Sequence, residues 1–214
     1  MTDTPRPARR WLVIALAVIA VAAVGFAVGR FTLFGNSAPV PNAADIGFAR
    51  DMQVHHAQAV EMAMSIYRTT EDDEIRAVSY DIATGQAAQR GEMFDWLVQW
   101  GVPQAGDLMT WMQASDAHGH VTAPDATPDE VYASMGMASD AELAELAAAR
   151  GTVADCTFLE LMIRHHEGAI PMADAVLDLG SVPRVLQVAD VMRTNQSAEI
   201  DAMQGMQQRL GCAA

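Results

Sequence analysis

Two histidine pairs are the residues of this chain whose type and spacing could do chemistry. His55 with His56, and His165 with His166, each stand in the middle of the same pattern of phenylalanine, methionine and alanine residues. The two patterns are separated by a constant offset of 110 residues. They match without a gap over about fifty residues, which indicates an internal duplication.

The spacing inside each copy predicts a helix. From Asp45 to Ile66 and from Asp155 to Val176, the matching residues follow one another at alternating steps of three and four. This is the pattern of an apolar seam along one side of a helix. One histidine of each pair lies on the seam, and the other is rotated from it by about 100° and flanks it.

Imidazole and thioether groups together favour copper, particularly Cu(I), over harder metals. If the two copies face each other inside one helical body, their histidines and methionines converge. The sequence therefore predicts a copper ion as the cofactor, with these ligands: His55, His56, His165, His166, Met52, Met62, Met162 and Met172. In the loop between the copies, His118 and His120 are further candidates.

A structural interpretation stays open beside the metal hypothesis. Methionine on a helix seam usually fills the core, and a single core histidine is usually only hydrogen-bonded. On this alternative the protein is a structural or interaction module of the cell envelope, and the duplicated pairs contribute to packing alone. An envelope protein or a second copy of the chain would then be its partner.

The positioning elements are four predicted helices, and no segment after residue 40 has the alternating pattern of a strand. The helices are predicted over residues 45–68, 71–100, 152–179 and 183–210. Short turns make two hairpins, over 45–103 and 152–212, joined by a crossover over 104–151 that contains two capping boxes. The predicted fold is an all-α, duplicated four-helix bundle over residues 45–214.

Hairpin arithmetic predicts which side chains face the histidines. Counting back from each turn places Gln86 across from His55 or its neighbour and Gln196 across from His165, so these amides would orient the imidazoles. Asp51 and Glu167 flank the first and second pairs and could do the same. The same count brings Cys156 and Cys212 to one end of the second hairpin, where a disulfide is predicted.

The N-terminus is a separate segment. Residues 11–29 carry no charge, and arginines precede this run, so we predict a basic cytoplasmic tail over 1–10 and a transmembrane signal anchor over 11–34. A linker over 35–44 then leads to an extracytoplasmic body. A cleaved signal peptide followed by secretion is the alternative.

Charge and motifs exclude several functions. The chain has 27 acidic and 13 basic residues and a formal net charge of −14, which argues against binding nucleic acid. It has no Glu-x-x-His motif of a di-iron bundle, no serine or cysteine nucleophile motif and no phosphate-binding loop. We therefore expect a binding protein and not an enzyme.

The doubled motif F-x3-M-x2-HH-x2-A-x2-MA, followed by Q-x6-M, resembles the bacterial domain of unknown function 305. The segment Met135 to Ser139 is similar to that family's intervening part, and the match covers residues 43–210. The resemblance implies a ferritin-like four-helix bundle in an exported or anchored protein, with links to copper binding and tolerance. It implicates the same eight ligands. The copies differ where Gln58 corresponds to Gly168.

Overall fold

A computed structural model describes residues 7–33, 39–114 and 126–212 of the chain. In these ranges the ordered elements are seven α-helices and one 3-10 helix at Thr110–Ala114, with no strand, so the all-α class is confirmed. The helices are α1 (Pro7–Leu33), α2 (Ala43–Tyr67), α3 (Asp73–Gln99), α4 (Pro128–Ser134), α5 (Asp140–Ala148), α6 (Gly151–Leu179) and α7 (Pro183–Leu210).

Residues 1–39 form one compact unit, which contains α1. Among the described helices, none combines the length and the apolar character that a membrane crossing requires. The transmembrane anchor predicted over residues 11–34 is therefore not supported. The first six residues of the predicted tail, residues 35–38 of the predicted linker, and His118 and His120 lie outside the described ranges.

Residues 40–214 form the second unit, which is built from the two predicted hairpins. Helix α2 packs against α3, α6 packs against α7, and the hairpins meet where α2 packs against α6. The bounds of these helices differ from the predicted ones by at most two residues. The Asn42–Asp45 capping box starts α2, and Gly211 in the left-handed conformation ends α7, as expected of these residue types at helix ends.

Two apolar clusters fill the interior of this unit. The first contains the start of α2 with Phe48 and the end of α6 with Val176. The second contains the end of α2 with Ile66 and the first half of α6 with Phe158. Helices α2 and α6 therefore run antiparallel, and the middle of each helix lies between the two clusters. That middle is where the histidine pairs stand.

The described parts of the crossover pack against the hairpins, with the 3-10 helix against α2 and α5 against α2 and α6. Both predicted capping boxes are present, at Thr127 with Glu130 before α4 and at Ser139 with Glu142 before α5. The predicted disulfide between Cys156 and Cys212 is also present, and it joins the start of α6 to the residues after α7. The ends of the second hairpin are thus covalently fixed.

Candidate metal centre

A polar layer crosses the interior at the level of the histidines. All four histidine side chains are fully buried, and buried glutamines from α3 and α7 lie at the same level between the two apolar clusters. A buried polar group is costly unless it finds partners. The contacts of this layer therefore decide what it can do.

His55 and His165 meet at the contact between α2 and α6. Their ring centroids are 3.6 Å apart, with an angle of 32° between the ring planes. His165 Nε2 donates to the carbonyl of His55 at 3.1 Å, and His55 Nε2 donates to the carbonyl of Met135 at 3.0 Å. Because a carbonyl oxygen only accepts, Nε2 carries the proton in both rings and Nδ1 has a free lone pair.

His56 and His166 bridge the two helices of their own hairpins. His56 Nε2 donates to the amide oxygen of Gln89 at 2.8 Å, and His166 Nε2 donates to the carboxylate of Glu199 at 2.7 Å. Each ring lies 6.3 Å from the ring of its neighbouring histidine, at an angle of 52° in both copies. The duplication is therefore preserved in the geometry as well as in the sequence.

The four Nδ1 atoms are the unusual feature of the layer. Each is buried and has no hydrogen-bond partner. Burial, with the nearby charge of His56, lowers the pKa of His55 to about 3, and burial lowers that of His56 to about 4. Burial and then the charge of His55 hold the pKa of His165 well below its usual value. These three rings are neutral at neutral pH and keep a lone pair on Nδ1.

The predicted methionine ligands lie on both sides of this layer. All four are fully buried. Met52 and Met172 belong to the first apolar cluster, whereas Met62 and Met162 belong to the second. The eight predicted ligands therefore form three levels, with thioethers above and below the imidazoles.

The side chains predicted to orient the imidazoles are placed differently. Gln86 and Gln196 are buried, but neither amide has a hydrogen-bond partner. Glu167 is exposed on α6. The partners of the flanking histidines are instead Gln89 and Glu199, three residues further along α3 and α7. These two residues also correspond at the offset of 110, a signal that was present in the sequence.

The crossover completes the layer from one side. The carbonyl of Met135 accepts from His55, and Gln58 makes two hydrogen bonds to the backbone of Ala138, at 2.7 and 2.8 Å. On α6 the matching position is Gly168, where an added Cβ would lie 1.9 Å from the carbonyl oxygen of Met135. Glycine is needed there so that the crossover backbone can lie against the helix.

Asp51, which was expected to help orient the first histidine pair, is buried but bonds to the crossover instead. Asp51 accepts hydrogen bonds from the backbone N–H of Met109 and the indole N–H of Trp111, both at 2.8 Å. Burial raises its pKa to about 7, although these two hydrogen bonds act in the opposite direction. This carboxyl group ties the start of the crossover to α2.

The fold and this layer define a class of protein: an all-α, internally duplicated body with paired histidines buried at its middle. The model of the domain of unknown function DUF305 matches residues 45–207. The chain belongs to the DUF305 family, so the family resemblance seen in the sequence is confirmed. Among proteins with curated descriptions, none matches the chain.

Several solved structures are similar to this chain. A DUF305 protein from Streptomyces coelicolor, which is predicted to be secreted, is 38% identical, with 79% of this chain and 93% of that chain covered and a TM-score of 0.68. A DUF305 fragment from Deinococcus radiodurans is 30% identical, with 80% and 99% covered and a TM-score of 0.66. CopM in its Cu(I)-bound form is 25% identical, with 77% and 96% covered and a TM-score of 0.57.

Proposed function

We propose that this protein is an extracytoplasmic copper-binding protein that stores, buffers or delivers copper and catalyses no reaction. The observation that carries the proposal is the set of four buried histidine Nδ1 atoms without a hydrogen-bond partner. An unpaired buried acceptor is costly unless a ligand occupies it. A metal ion is such a ligand, because neutral imidazole binds it through this lone pair.

The chemistry of the layer favours Cu(I) among metal ions. No group of three or more histidine, cysteine or acidic side chains in the described residues is arranged to hold one ion. An ion here would therefore be held by fewer imidazoles, for example those of His55 and His165, together with thioether sulfur. Such soft ligands suit Cu(I) and do not suit magnesium, calcium or manganese.

The comparisons support a role in metal binding and a place outside the cytoplasm. CopM has been crystallised in Cu(I)-bound, Cu(II)-bound and silver-bound forms. The disulfide between Cys156 and Cys212 suits an oxidising compartment. We also propose that the four long helices are arranged as a ferritin-like bundle, as the family resemblance implies.

A Cu(I) titration tests the proposal. We would titrate the metal-free protein anaerobically in competition with a chromophoric Cu(I) chelator. The wild type is expected to take up at least one equivalent. A variant with all four layer histidines changed to glutamine is expected to lose binding, because the glutamine amide can replace the Nε2–H donor but has no counterpart of Nδ1.

Methionine variants provide the matched control. Changing Met52, Met62, Met162 and Met172 to leucine removes sulfur from the levels above and below the imidazoles, so affinity should fall at least tenfold. Changing Met93 and Met203 to leucine should leave affinity unaltered, since these methionines are equally buried but are not predicted ligands. A wild type that takes up no copper would favour the purely structural role of the histidines.

A further inference from the structure

A cleft between α3 and α7 opens on the side of the polar layer opposite to the stacked pair. Its volume is about 60 Å³, several times the roughly 10–15 Å³ that one water needs. Gln86 and Gln196 line it from equivalent positions of the two copies. They are only 5% and 3% exposed, and both polar atoms of each amide lack a partner.

The charge of the cleft suits a cation. Asp81 and Glu199 contribute carboxylates to the lining, the glutamines contribute amide groups, and no basic side chain lines it. Carboxylate and amide oxygens are ligands for hydrated cations, but they hold Cu(I) less firmly than imidazole and thioether groups do. An ion attracted to this cleft would therefore gain stability by moving inward.

Two residues join the cleft to the histidines. Gln89 and Glu199 line the cleft, and they are also the hydrogen-bond partners of His56 and His166. Each of these side chains therefore connects the cleft to one imidazole of the polar layer. The cleft is thus connected to both hairpins at once.

We propose that the cleft between α3 and α7 is the port through which a hydrated metal cation reaches the buried histidines. The inference rests on the proposed function, since a port has a purpose only if the layer takes up metal. Gln86 and Gln196 act as the inner oxygen ligands of the passing cation, and Asp81 and Glu199 attract it from solvent. During uptake, the passing cation is then a partner for the amide oxygens of Gln86 and Gln196, which otherwise have none.

Blocking the cleft tests this inference without altering its polar groups. Gly85 lines the cleft, and a Cβ added there meets no atom within 4 Å, so Gly85→Leu projects a side chain into open space. Gly91 on the same helix is equally free of neighbours and does not line the cleft. Gly91→Leu is therefore the matched control.

The measurement is the rate of loading with Cu(I), followed by stopped flow, together with the final stoichiometry. Gly85→Leu is expected to slow loading at least tenfold with the stoichiometry unchanged, whereas Gly91→Leu should load at the wild-type rate. A double variant, Gln86→Leu with Gln196→Leu, should also load slowly. If it fails to fold, Gly85→Leu carries the test alone.

The outcomes separate the two proposals. If the wild type takes up no Cu(I), the proposed function fails and the port fails with it. If the wild type loads and Gly85→Leu loads equally fast, the layer binds copper but the ion reaches it by another route. Only slow loading of Gly85→Leu with a normal end point and a normal Gly91→Leu control supports the port.

Discussion

The two hairpins share one sequence pattern but have different surroundings. At the polar layer they are nearly identical: His56 and His166 bond to Gln89 and Glu199 at 2.8 and 2.7 Å, and the ring angles agree. In both copies the flanking imidazole donates through Nε2 to a side chain of the neighbouring helix in the same hairpin. The shared geometry is what a pair of equivalent ligand sets requires.

Away from the layer the copies differ where other parts of the chain contact them. Asp45 accepts hydrogen bonds from Ser181 and Val182, but Oδ1 of the equivalent Asp155 has no partner. Only the second copy has the small residue, Gly168, that admits the crossover. The two copies therefore differ where they contact parts of the chain that occur only once. A single crossover can pack against only one copy in a given way.

Acidification should cause the largest loss of stability, because it protonates the buried histidines that both copies contain. The folded state lowers the pKa values of His55, His56 and His165, so it loses stability as the pH falls below 6.5, where the unfolded chain takes up protons first. At about 1.4 kcal/mol per pH unit, His55 and His56 each contribute roughly 3 kcal/mol to this loss by pH 4.5, and His165 acts in the same direction. Urea denaturation of the metal-free protein at pH 7 and 4.5 measures this loss.

Asp51 opposes this trend and provides the control. Its raised pKa of about 7 means that the folded state keeps a proton that the unfolded state loses above pH 3.8, so its burial favours folding at low pH. It offsets about 3 kcal/mol of the loss that the histidines cause, so a net loss of stability remains. Asp51→Asn should make the acid sensitivity steeper. A protein that is equally stable at both pH values would contradict the lowered pKa values of His55, His56 and His165.

Removing the disulfide should make the second hairpin resemble the first at the end of α7. Cys156→Ser with Cys212→Ser opens a link across 56 residues, and the expected loss is about 2–4 kcal/mol of unfolding free energy. The first hairpin has Ile46 and Val102 at the matching positions and has no such link. Hydrogen exchange should therefore increase at the end of α7 and stay unchanged at the end of α3. Equal changes in both would show that the link stabilises the whole body.

Much of this fold follows from local and repeated signals in the sequence. Steps of three and four residues around Phe48 and Phe158, together with short turns, place the four long helices within two residues of their bounds. The disulfide follows from hairpin arithmetic, because both cysteines lie at the end of the second hairpin that is far from its turn. Such predictions need only helix geometry.

The partners of the histidines needed information that helix spacing does not contain. Gln86 and Gln196 were expected beside the imidazoles, but the rotation of α3 and α7 about their axes brings Gln89 and Glu199 there, almost one turn further along. The crossover supplies the Met135 carbonyl that accepts from His55 and the Met109 N–H that donates to Asp51. Contacts from such long connections depend on tertiary packing, which periodicity does not encode.

A methyl group at Gly168 should make the copies more alike and cost stability. An added Cβ would overlap the carbonyl of Met135, which belongs to backbone and cannot rotate away, so Gly168→Ala should lose about 1–3 kcal/mol. Gly205→Ala is the control: it is also in a helix, meets nothing within 4 Å, and should gain up to about 1 kcal/mol from helix propensity. Denaturant midpoints compare them. Equal gains in both variants would mean that the crossover does not contact α6 closely.

The smallest effect is expected where the copies differ only in charge. Glu199→Gln gives His166 the same amide partner that Gln89 gives to His56, and the Glu199 side chain is 32% exposed. A partly exposed pair of this kind contributes little, so the unfolding free energy should change by less than about 1 kcal/mol. Asp201→Asn, an exposed acid on the same helix, matches the loss of charge. If Glu199→Gln alone slowed Cu(I) loading while both variants stayed as stable as the wild type, the difference between the copies would lie in attracting the cation and not in holding the fold.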